Sequence, residues 1–412
     1  MTVQRETASA TPEWASIDRE RALDHLMELL AIEGTSGRER VAAAAVRERL
    51  LAAGCEPAWI RHDTAHRRID PAWEVGNLIV KVPASRGRTR QPRLLFAGHL
   101  DTVPLCRGAV PVRLANRIVS EGDTALGGDN RTAVAALVTL VETIVARTLP
   151  HPPLTVRFTV GEEVGLKGSA AVRASDLGRP AMGFNVDGGD PAAVTIGAIG
   201  ADRWRAEVFG RSAHAGVHPE DGVSAALIAA RAIAAVAADG WFGEVEKGAE
   251  KSKRVGTSNV GSIRGGEATN QVTDRVVVTG ESRSHDARFL ARITSAYRRA
   301  FERTARNVRN ASGVSGRVEF HAQRDYDSFR LPRRSPPVER ALAAASALGL
   351  EPRLRIANGG LDANNLSAKG IPTVTLGAGQ HRPHTVDEYV EIDEYLTGAQ
   401  LLVHLAMARE DL

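Results

Sequence analysis

The chain has 412 residues, of which 43% are hydrophobic. Because this length is greater than that of an ordinary domain built on one hydrophobic core, two domains are expected. Its 53 Lys and Arg residues barely outnumber its 49 Asp and Glu residues, and the loose basic run from Arg86 to Arg93 is interrupted by glycine, threonine and proline. A nucleic-acid partner would require clustered basic residues, and a membrane span would require about 20 consecutive apolar residues. The sequence therefore predicts neither a nucleic-acid nor a membrane partner.

The cysteines and the N-terminal segment indicate a cytoplasmic protein. The two cysteines, Cys55 and Cys106, form neither a disulfide framework nor a Cys-x-x-Cys pair, which fits a reducing compartment. The segment from Met1 to Ser16 is polar and lacks the apolar stretch of a secretory signal. We therefore expect the protein to reside in the cytoplasm.

The hydrophobic pattern up to residue 199 alternates between helices and strands, as in a layered α/β domain. In chain order it predicts helices at Asp18–Leu30 and Arg38–Ala53, strands at Gly76–Val82 and Arg93–Gly98, a helix at Arg131–Ala146, and strands at 154–160 and 181–186. After Pro332 the same pattern returns, with helix Pro337–Leu348, strand Arg353–Ile356, helix Asn364–Ala368, strand 371–376 and a terminal helix. We expect a discontinuous α/β domain, residues 1–199 and 326–412, with a mixed and mostly parallel sheet.

A different pattern between residues 200 and 325 predicts a smaller inserted domain. Its predicted elements are strand Trp204–Phe209, helix Ser224–Ala237, a charged loop at 242–256, strands Thr257–Ile263 and Arg275–Arg283, helix Asp286–Asn307 and strand Gly316–His321. The order β-α-β-β-α-β is that of a ferredoxin-like α+β domain.

Polar clusters follow the predicted strands of the α/β domain. They are, in chain order, His99-Leu100-Asp101, Asp129 just before a helix, Glu162-Glu163, Asp187-Gly188-Gly189, and a loop that holds His381 and His384. Ligands of open α/β sheets bind beyond the carboxyl ends of the strands. Zinc binds histidine nitrogen and carboxylate oxygen where thiolates are absent, and a metal pair needs a bridging group and a base for water. The clusters together predict a hydrolytic centre with two metal ions.

Each of these residues has a simpler interpretation when it is taken alone. A single histidine near a strand end can be a hydrogen-bonded structural residue, and the Glu162-Glu163 pair or Asp187 can belong to an ordinary turn. Asp129 can be a helix N-cap, since an aspartate stabilises that end of a helix. The metal site is favoured because all of the residues lie at strand ends or at a helix start within one predicted domain.

Several short motifs occur in a fixed order along the chain. They are His99-Leu100-Asp101-Thr102-Val103-Pro104, Gly128-Asp129-Asn130-Arg131, Glu162-Glu163-Val164-Gly165, Asp187-Gly188-Gly189, Ser212-Ala213-His214-Ala215-Gly216, Gly359-Gly360-x-Asp362-Ala363-Asn364 and His384-Thr385-x-x-Glu388-Tyr389. From about Leu23 to the C-terminus, the chain resembles the zinc metallopeptidase family of peptidase T, carboxypeptidase G, aminoacylase and succinyl-diaminopimelate desuccinylase. The last four motifs are most like those of the peptidase T branch.

The resemblance implies two divalent metal ions, with Zn²⁺ favoured and Co²⁺ or Mn²⁺ as alternatives. Asp129 would bridge both ions, His99 and Asp187 would complete one site, and Glu163 and His384 would complete the other. His381 competes with His384 for the last position, and the Thr-x-x-Glu-Tyr sequence after His384 favours His384.

The resemblance also implies two catalytic roles beside the metal ligands. Asp101 would accept the second ring N–H of His99, which fixes the orientation of that ligand. Glu162 would take a proton from the attacking water and pass it to the leaving nitrogen, as a general base and then a general acid.

The inserted domain resembles the lid and dimerisation domain of the same family. His214 would polarise the scissile carbonyl, reaching the site from the partner subunit of a homodimer. Asn270 and Arg283 would bind a substrate carboxylate, for which arginine is well suited. Gly359 and Gly360, in the α/β domain, would let the substrate backbone approach closely.

The sequence thus predicts a two-zinc hydrolase of short peptides, most like a tripeptide aminopeptidase. An N-acyl- or N-carbamoyl-amino-acid amidohydrolase of the same family stays open, because it would share the metal residues and differ only in its substrate pocket. A metal-free binding protein is less favoured, since all five ligands and Glu162 are present. A nucleotide-binding protein is set aside, because no Gly-x-Gly-x-x-Gly follows the first strand.

Overall fold

The computed structural model describes residues 15–407. Residues 1–14, most of the segment predicted to lack a secretory signal, lie outside the described residues. The α-helices are α1 (Arg19–Leu30), α2 (Arg40–Ala52), α3 (Ala65–Ile69), α4 (Gly128–Ala146), α5 (Lys167–Ala171), α6 (Ala225–Ala238), α7 (Ala287–Asn307), α8 (Pro336–Ala347), α9 (Asp362–Ala368) and α10 (Ile392–Met407).

The strands are β1 (Ile60–His62), β2 (Leu78–Val82), β3 (Leu94–His99), β4 (Val110–Leu114), β5 (Arg117–Glu121), β6 (Leu154–Thr159), β7 (Met182–Val186), β8 (Ala193–Ala198), β9 (Gly200–Phe209), β10 (Gly243–Lys247), β11 (Arg254–Gly265), β12 (Arg275–Ser284), β13 (Arg317–Tyr326), β14 (Phe329–Arg330), β15 (Arg353–Ala357), β16 (Thr373–Leu376), β17 (Gln380–His381) and β18 (Tyr389–Glu391).

Capping residues and apolar spacing explain where two of the helices begin and which face they bury. The Asp18 carboxylate accepts a hydrogen bond from the backbone N–H of Arg21, and Asp286 does the same for the backbone N–H groups of Arg288 and Phe289. Helix α1 then buries a stripe at intervals of three and four residues, formed by Leu23, Leu26, Leu29 and Leu30.

The chain divides into two compact units. The first unit ends at Ala198 and resumes at Arg330, and the second unit is Ile199–Phe329. The first unit is therefore built from two separate stretches of the sequence.

A mixed sheet forms the centre of the first unit, in the order β1-β2-β6-β3-β7-β16-β8-β14, with β15 also paired to β8. Its four central strands, β6, β3, β7 and β16, run parallel to one another. The pairing places His99 beside Thr159 and Val186 beside Leu376. All four central strands therefore end at one edge of the sheet.

Both faces of this sheet are covered, which makes the unit a layered α/β structure. Leu94 and Phe96 of β3 belong to a core shared with α1, α4 and α10, whereas Leu95 and Ala97 belong to a second core with Leu366 of α9. Because successive side chains of a strand point to opposite faces, a strand buried on both sides is a continuous apolar run. The predicted fold class, a layered α/β domain with a mixed and mostly parallel sheet, is confirmed.

The second unit is an antiparallel sheet in the order β10-β11-β12-β9-β13, with helices α6 and α7 sharing its core. The Trp204 ring of β9 lies 4.5 Å from the Tyr297 ring of α7, measured between centroids. Like the α+β domain predicted from the sequence, the unit has helices and antiparallel strands packed on one core.

One part of the prediction for this region is wrong. Residues 242–256, expected to form a charged loop, contain strand β10, which pairs antiparallel with the start of β11. The order in the second unit is therefore β-α-β-β-β-α-β. Only Val245 of β10 is buried, and its neighbours Glu244 and Glu246 are exposed, so this edge strand has too little hydrophobic alternation to be visible in the sequence.

A small antiparallel sheet in the first unit, in the order β17-β18-β5-β4, was not predicted. Strand β18 pairs with β5, placing Tyr389 beside Val119 and Val390 beside Ile118. Strands β17 and β18 also pair with each other, so they enclose the loop that contains His384. The sheet thereby anchors both ends of this loop.

No helix within residues 15–407 combines the length and the apolar character needed to cross a membrane.

Candidate metal centre

The parallel strands of the first unit bring the predicted ligands to one edge of the sheet. His99 is the last residue of β3, Glu163 follows the end of β6, and Asp187 directly follows β7. Asp129 lies at the start of α4, and His384 lies in the loop between β17 and β18. This edge is where ligands of open α/β sheets bind.

The two carboxylate oxygens of Asp129 face two different histidines. Oδ1 lies 3.2 Å from Nε2 of His99, and Oδ2 lies 3.4 Å from Nε2 of His384. The hydrogen bonds from the two rings hold the pKa of Asp129 below its usual value, although burial acts in the opposite direction. The regular part of α4 begins at Arg131, because Asp129 and Asn130 have non-helical backbone angles. Asp129 therefore has the placement of a group shared by two neighbouring sites.

The remaining acidic residues lie around these two histidines. Nε2 of His384 lies 2.9 Å from Oε1 of Glu163, and Nε2 of His99 lies 4.0 Å from both Oδ1 of Asp187 and Oε2 of Glu162. Two groups of potential ligand atoms are thus each confined within 4.8 Å, namely those of His99, Asp129 and Glu163 and those of His99, Glu162 and Asp187. The structure brings Glu162, the predicted base, into the same cluster as the predicted ligands.

His381, the alternative to His384, is engaged elsewhere. Its Nε2 lies 2.5 Å from Oε2 of Glu394, and its ring stacks on Tyr389 with 5.0 Å between centroids. His384 adopts a φ of 64°, in the left-handed region that residues other than glycine seldom occupy. Strained backbone of this kind is concentrated at functional sites.

Both the backbone carbonyl and the carboxylate of Asp101 lie near Nδ1 of His99. Nδ1 of His99 donates to the backbone carbonyl of Asp101 at 2.9 Å, whereas the Asp101 carboxylate lies 3.5 Å away. That carboxylate accepts hydrogen bonds from Ser36 Oγ at 2.6 Å and from the backbone N–H groups of Glu162 and Glu163 at 2.9 and 3.1 Å. The carbonyl orients the His99 ring, and the carboxylate holds the turn that carries both glutamates.

The donor set fits a pair of divalent cations. Burial raises the pKa of Glu162 and of Asp187 well above the usual values, and the neighbouring carboxylates raise both further. Hydrogen bonds to Asp129 and Glu163 raise the pKa of His384 to about 10. This buried excess of negative charge favours a cation, and imidazole and carboxylate groups are the donors that Zn²⁺ accepts.

Three further side chains support the cluster and were given no role in the sequence analysis. The Glu39 carboxylate is fully buried and accepts a hydrogen bond from the backbone N–H of Gly161 at 2.9 Å. Nε2 of Gln380 donates to Oδ1 of Asp187 at 3.3 Å. The third is Glu388, whose position in the His384 motif was the only signal that the sequence offered.

The turn before Glu162 requires glycine at position 161. Gly161 has a φ of +60°, and a Cβ atom there would lie 2.1 Å from Cη2 of Trp73. Both the backbone conformation and the close approach of the Trp73 ring exclude a side chain. The predicted base, Glu162, is therefore carried by a turn with little freedom to shift.

The predicted substrate-binding residues His214, Asn270 and Arg283 lie in the second unit. His214 pairs with Gln271 in an isolated antiparallel bridge, and the backbone N–H of Ala215 donates to the carbonyl of Asn270 at 2.9 Å. Arg283, on β12, donates two hydrogen bonds to the carboxylate of Glu281, at 2.9 and 3.0 Å. The structure therefore gives Arg283 an acidic partner that the sequence analysis did not foresee.

In the first unit, Gly359 and Gly360 follow strand β15. A Cβ atom at Gly359 would meet no other atom within 4 Å, so this stretch of backbone is open to an approaching molecule. Their predicted role in substrate binding stays a prediction.

Comparisons with known proteins agree with the geometry. The sequence profile of Peptidase family M20/M25/M40 matches residues 95–408. The uncharacterized protein YqjE of Bacillus subtilis is 28% identical over 393 residues, covering 94% of this chain and 98% of that protein. A tripeptidase from Staphylococcus aureus has a TM-score of 0.81 at 29% identity, and the aminopeptidase PepT from Bacillus cereus has a TM-score of 0.79 at 30% identity. Each alignment covers 95% of this chain and 98% of the other.

Proposed function

Because the chain belongs to Peptidase family M20/M25/M40 and is a hydrolytic enzyme, we propose that it cleaves the peptide bond of short peptides, most like a tripeptide aminopeptidase. The observation that carries this proposal is the position of Asp129, whose two oxygens face His99 and His384 within a buried acidic cluster. The similarity to a tripeptidase and to an aminopeptidase supports the choice of substrate.

Five side chains would hold two divalent cations. Asp129 would contact both, His99 and Asp187 would complete one site, and Glu163 and His384 would complete the other. Zn²⁺ is the favoured ion, with Co²⁺ or Mn²⁺ as alternatives. When bound, such a pair polarises a carbonyl oxygen and lowers the pKa of water.

Glu162 would move the proton of the reaction. The residue is 9% exposed, and burial raises the pKa of its carboxyl well above the usual value, which suits a group that first accepts and then donates a proton. It would accept a proton from the attacking water and deliver it to the departing amine nitrogen. Asp101 supports this role by fixing the backbone N–H groups of Glu162 and Glu163, which keeps base and ligand in fixed relation.

The proposal is tested by combining metal depletion with a substrate screen. We expect dialysis against a chelator to abolish hydrolysis, and added Zn²⁺, Co²⁺ or Mn²⁺ to restore it, because the acidic cluster alone does not polarise the carbonyl. The enzyme should remove the N-terminal residue of tripeptides rapidly. It should hydrolyse dipeptides, N-acyl amino acids and N-carbamoyl amino acids more slowly. Preferential cleavage of N-acyl or N-carbamoyl amino acids would instead favour the amidohydrolase alternative, and full activity after metal removal would exclude both.

We further propose that the second unit supplies substrate contacts and forms a homodimer. On the family resemblance, His214 would polarise the scissile carbonyl in the partner's site, and Asn270 and Arg283 would bind the substrate carboxylate. Gly359 and Gly360 of the first unit would let the substrate backbone approach.

Mixing two inactive variants tests the role of His214. We expect His214→Ala and Glu162→Gln chains to be inactive alone and to regain activity after subunit exchange, because one site of a mixed dimer then has both groups intact. Activity is measured against the mixing ratio, and Glu162→Gln mixed with Asp101→Ala serves as the control, since both defects lie in the first unit. A lack of recovery at every ratio would show that His214 acts within its own chain or not at all.

A further inference from the structure

Glu388 is a buried carboxylate close to the start of α4. It is 2% exposed, and both of its oxygens accept backbone hydrogen bonds. Oε2 accepts from the N–H of Gly127 at 2.7 Å, and Oε1 accepts from the N–H of Asp129 at 2.9 Å. Glu388 thus contacts the main chain of the residue whose side chain lies between the two histidines.

The backbone around Asp129 depends on such an acceptor. Gly127 has a left-handed φ of 81°, and Asp129 and Asn130 have non-helical angles, so this segment lies outside the regular hydrogen bonding of α4. A Cβ atom at Gly128 would lie 2.9 Å from Val390 and 3.2 Å from Oε1 of Glu388, which leaves no room for a side chain. The segment therefore rests directly against Glu388.

The same loop contacts the side chain of Asp129. His384 lies four residues before Glu388, and its Nε2 is 3.4 Å from Oδ2 of Asp129. Asp129 is consequently held at its backbone by Glu388 and approached at its carboxylate by His384. A shift of the backbone would move both carboxylate oxygens at once, relative to His99 as well as His384.

We propose that Glu388 is a positioning residue of the metal centre, which fixes the Asp129 backbone so that one carboxylate oxygen faces each histidine. The inference rests on the proposed function, because it takes Asp129 to contact both ions. Both Glu388 oxygens are occupied by backbone N–H groups, so Glu388 acts through Asp129. The backbone pairing of β18 with β5 fixes the residues that follow Glu388 without help from its side chain. The Glu388 carboxylate is therefore not needed to hold the loop, and its role can be tested separately from loop stability.

The test is the affinity of Glu388→Gln for metal, measured by competition with a chromophoric chelator of known affinity. Glutamine keeps the shape and one carbonyl acceptor but directs an amide N–H toward one of the two backbone donors. We expect the affinity for both equivalents of Zn²⁺ to fall about 10–100-fold, the usual effect of removing a group that orients a ligand. The matched control is Glu391→Gln, which removes a carboxylate that bonds to Arg117 and should leave both affinities unchanged.

The outcomes separate this inference from the proposed function. If the wild-type protein binds fewer than two ions, the metal centre itself is wrong. If the wild type binds two and Glu388→Gln binds them equally well, only the role of Glu388 is wrong, even if the melting temperature of the metal-free protein falls. Loss of affinity for a single ion would also overturn it. If Glu388→Gln does not fold, the same measurement is made on Glu388→Asp, which keeps the charge but is one methylene shorter. If neither variant folds at saturating metal, Glu388 is a residue of the folded core and the inference is wrong.

Discussion

Replacing Glu162 by glutamine is expected to leave two metal ions bound and to lower kcat by about 10²–10⁴-fold. The amide has nearly the shape of the carboxylate but cannot accept the proton of the attacking water. The turn that carries it should persist, because Asp101 holds the backbone N–H groups of Glu162 and Glu163 and not the Glu162 side chain. The measurement is kcat at saturating tripeptide, together with metal content by atomic absorption.

The control for this experiment is the adjacent glutamate. Glu163→Gln should lose affinity for one ion, because Glu163 lies 2.9 Å from His384 and is a proposed ligand. Glu162 also lies 4.0 Å from His99 and belongs to a group of potential ligand atoms. A Glu162→Gln protein that has lost a metal ion would therefore assign Glu162 as a ligand, and one that keeps both ions with near-normal kcat would remove it from the mechanism.

Replacing Asp129 by alanine is expected to empty both metal sites after dialysis and to abolish hydrolysis. Its two oxygens face different histidines, so the substitution removes one donor from each site. Once the cations are lost, no positive charge offsets the repulsion among the buried acids that remain. The measurement is metal content per chain after dialysis, with circular dichroism to verify that the metal-free variant is folded.

Asp123→Ala provides the matched control, since this exposed aspartate lies six residues earlier and outside both groups of potential ligand atoms. Its metal content should equal that of the wild type. If Asp129→Ala lost one equivalent and held the other tightly, Asp129 would be a ligand of one ion only, and the two sites would be bridged by another group.

The sequence was most informative about the strands that carry the site. Strands β3, β6 and β7 are buried along their whole length, and mostly apolar stretches in their sequences end where clusters of polar residues begin. Parallel pairing then places those ends along one edge, so the convergence of His99, Glu163 and Asp187 could be anticipated. The edge strands β4 and β10 were missed because β4 has no buried residue and β10 has only one, Val245.

The supporting residues could not be predicted because they act over long sequence separations and through the backbone. Glu39 accepts from Gly161, 122 residues away, and Glu388 accepts from Gly127, 261 residues away. Neither contact leaves a local pattern in the sequence, because nothing in the neighbouring residues distinguishes these two glutamates from any other glutamate. The contact between His99 and the backbone of Asp101 was likewise invisible, because a backbone carbonyl is present at every position.

The separation of 261 residues between Glu388 and Gly127 also bears on the order of events during biosynthesis. The ribosome releases the segment from His99 to Asp187 before the second unit, and that segment already contains one of the two proposed histidine ligands and all four acids of the proposed centre. His384 and Glu388 are synthesised only after the whole of the second unit. In a growing chain, the acids of the proposed centre therefore exist long before His384 and Glu388 are made, and contacts between residues far apart in the sequence are slow to form. The proposed site can therefore be completed only near the end of synthesis, whichever of the two units folds first.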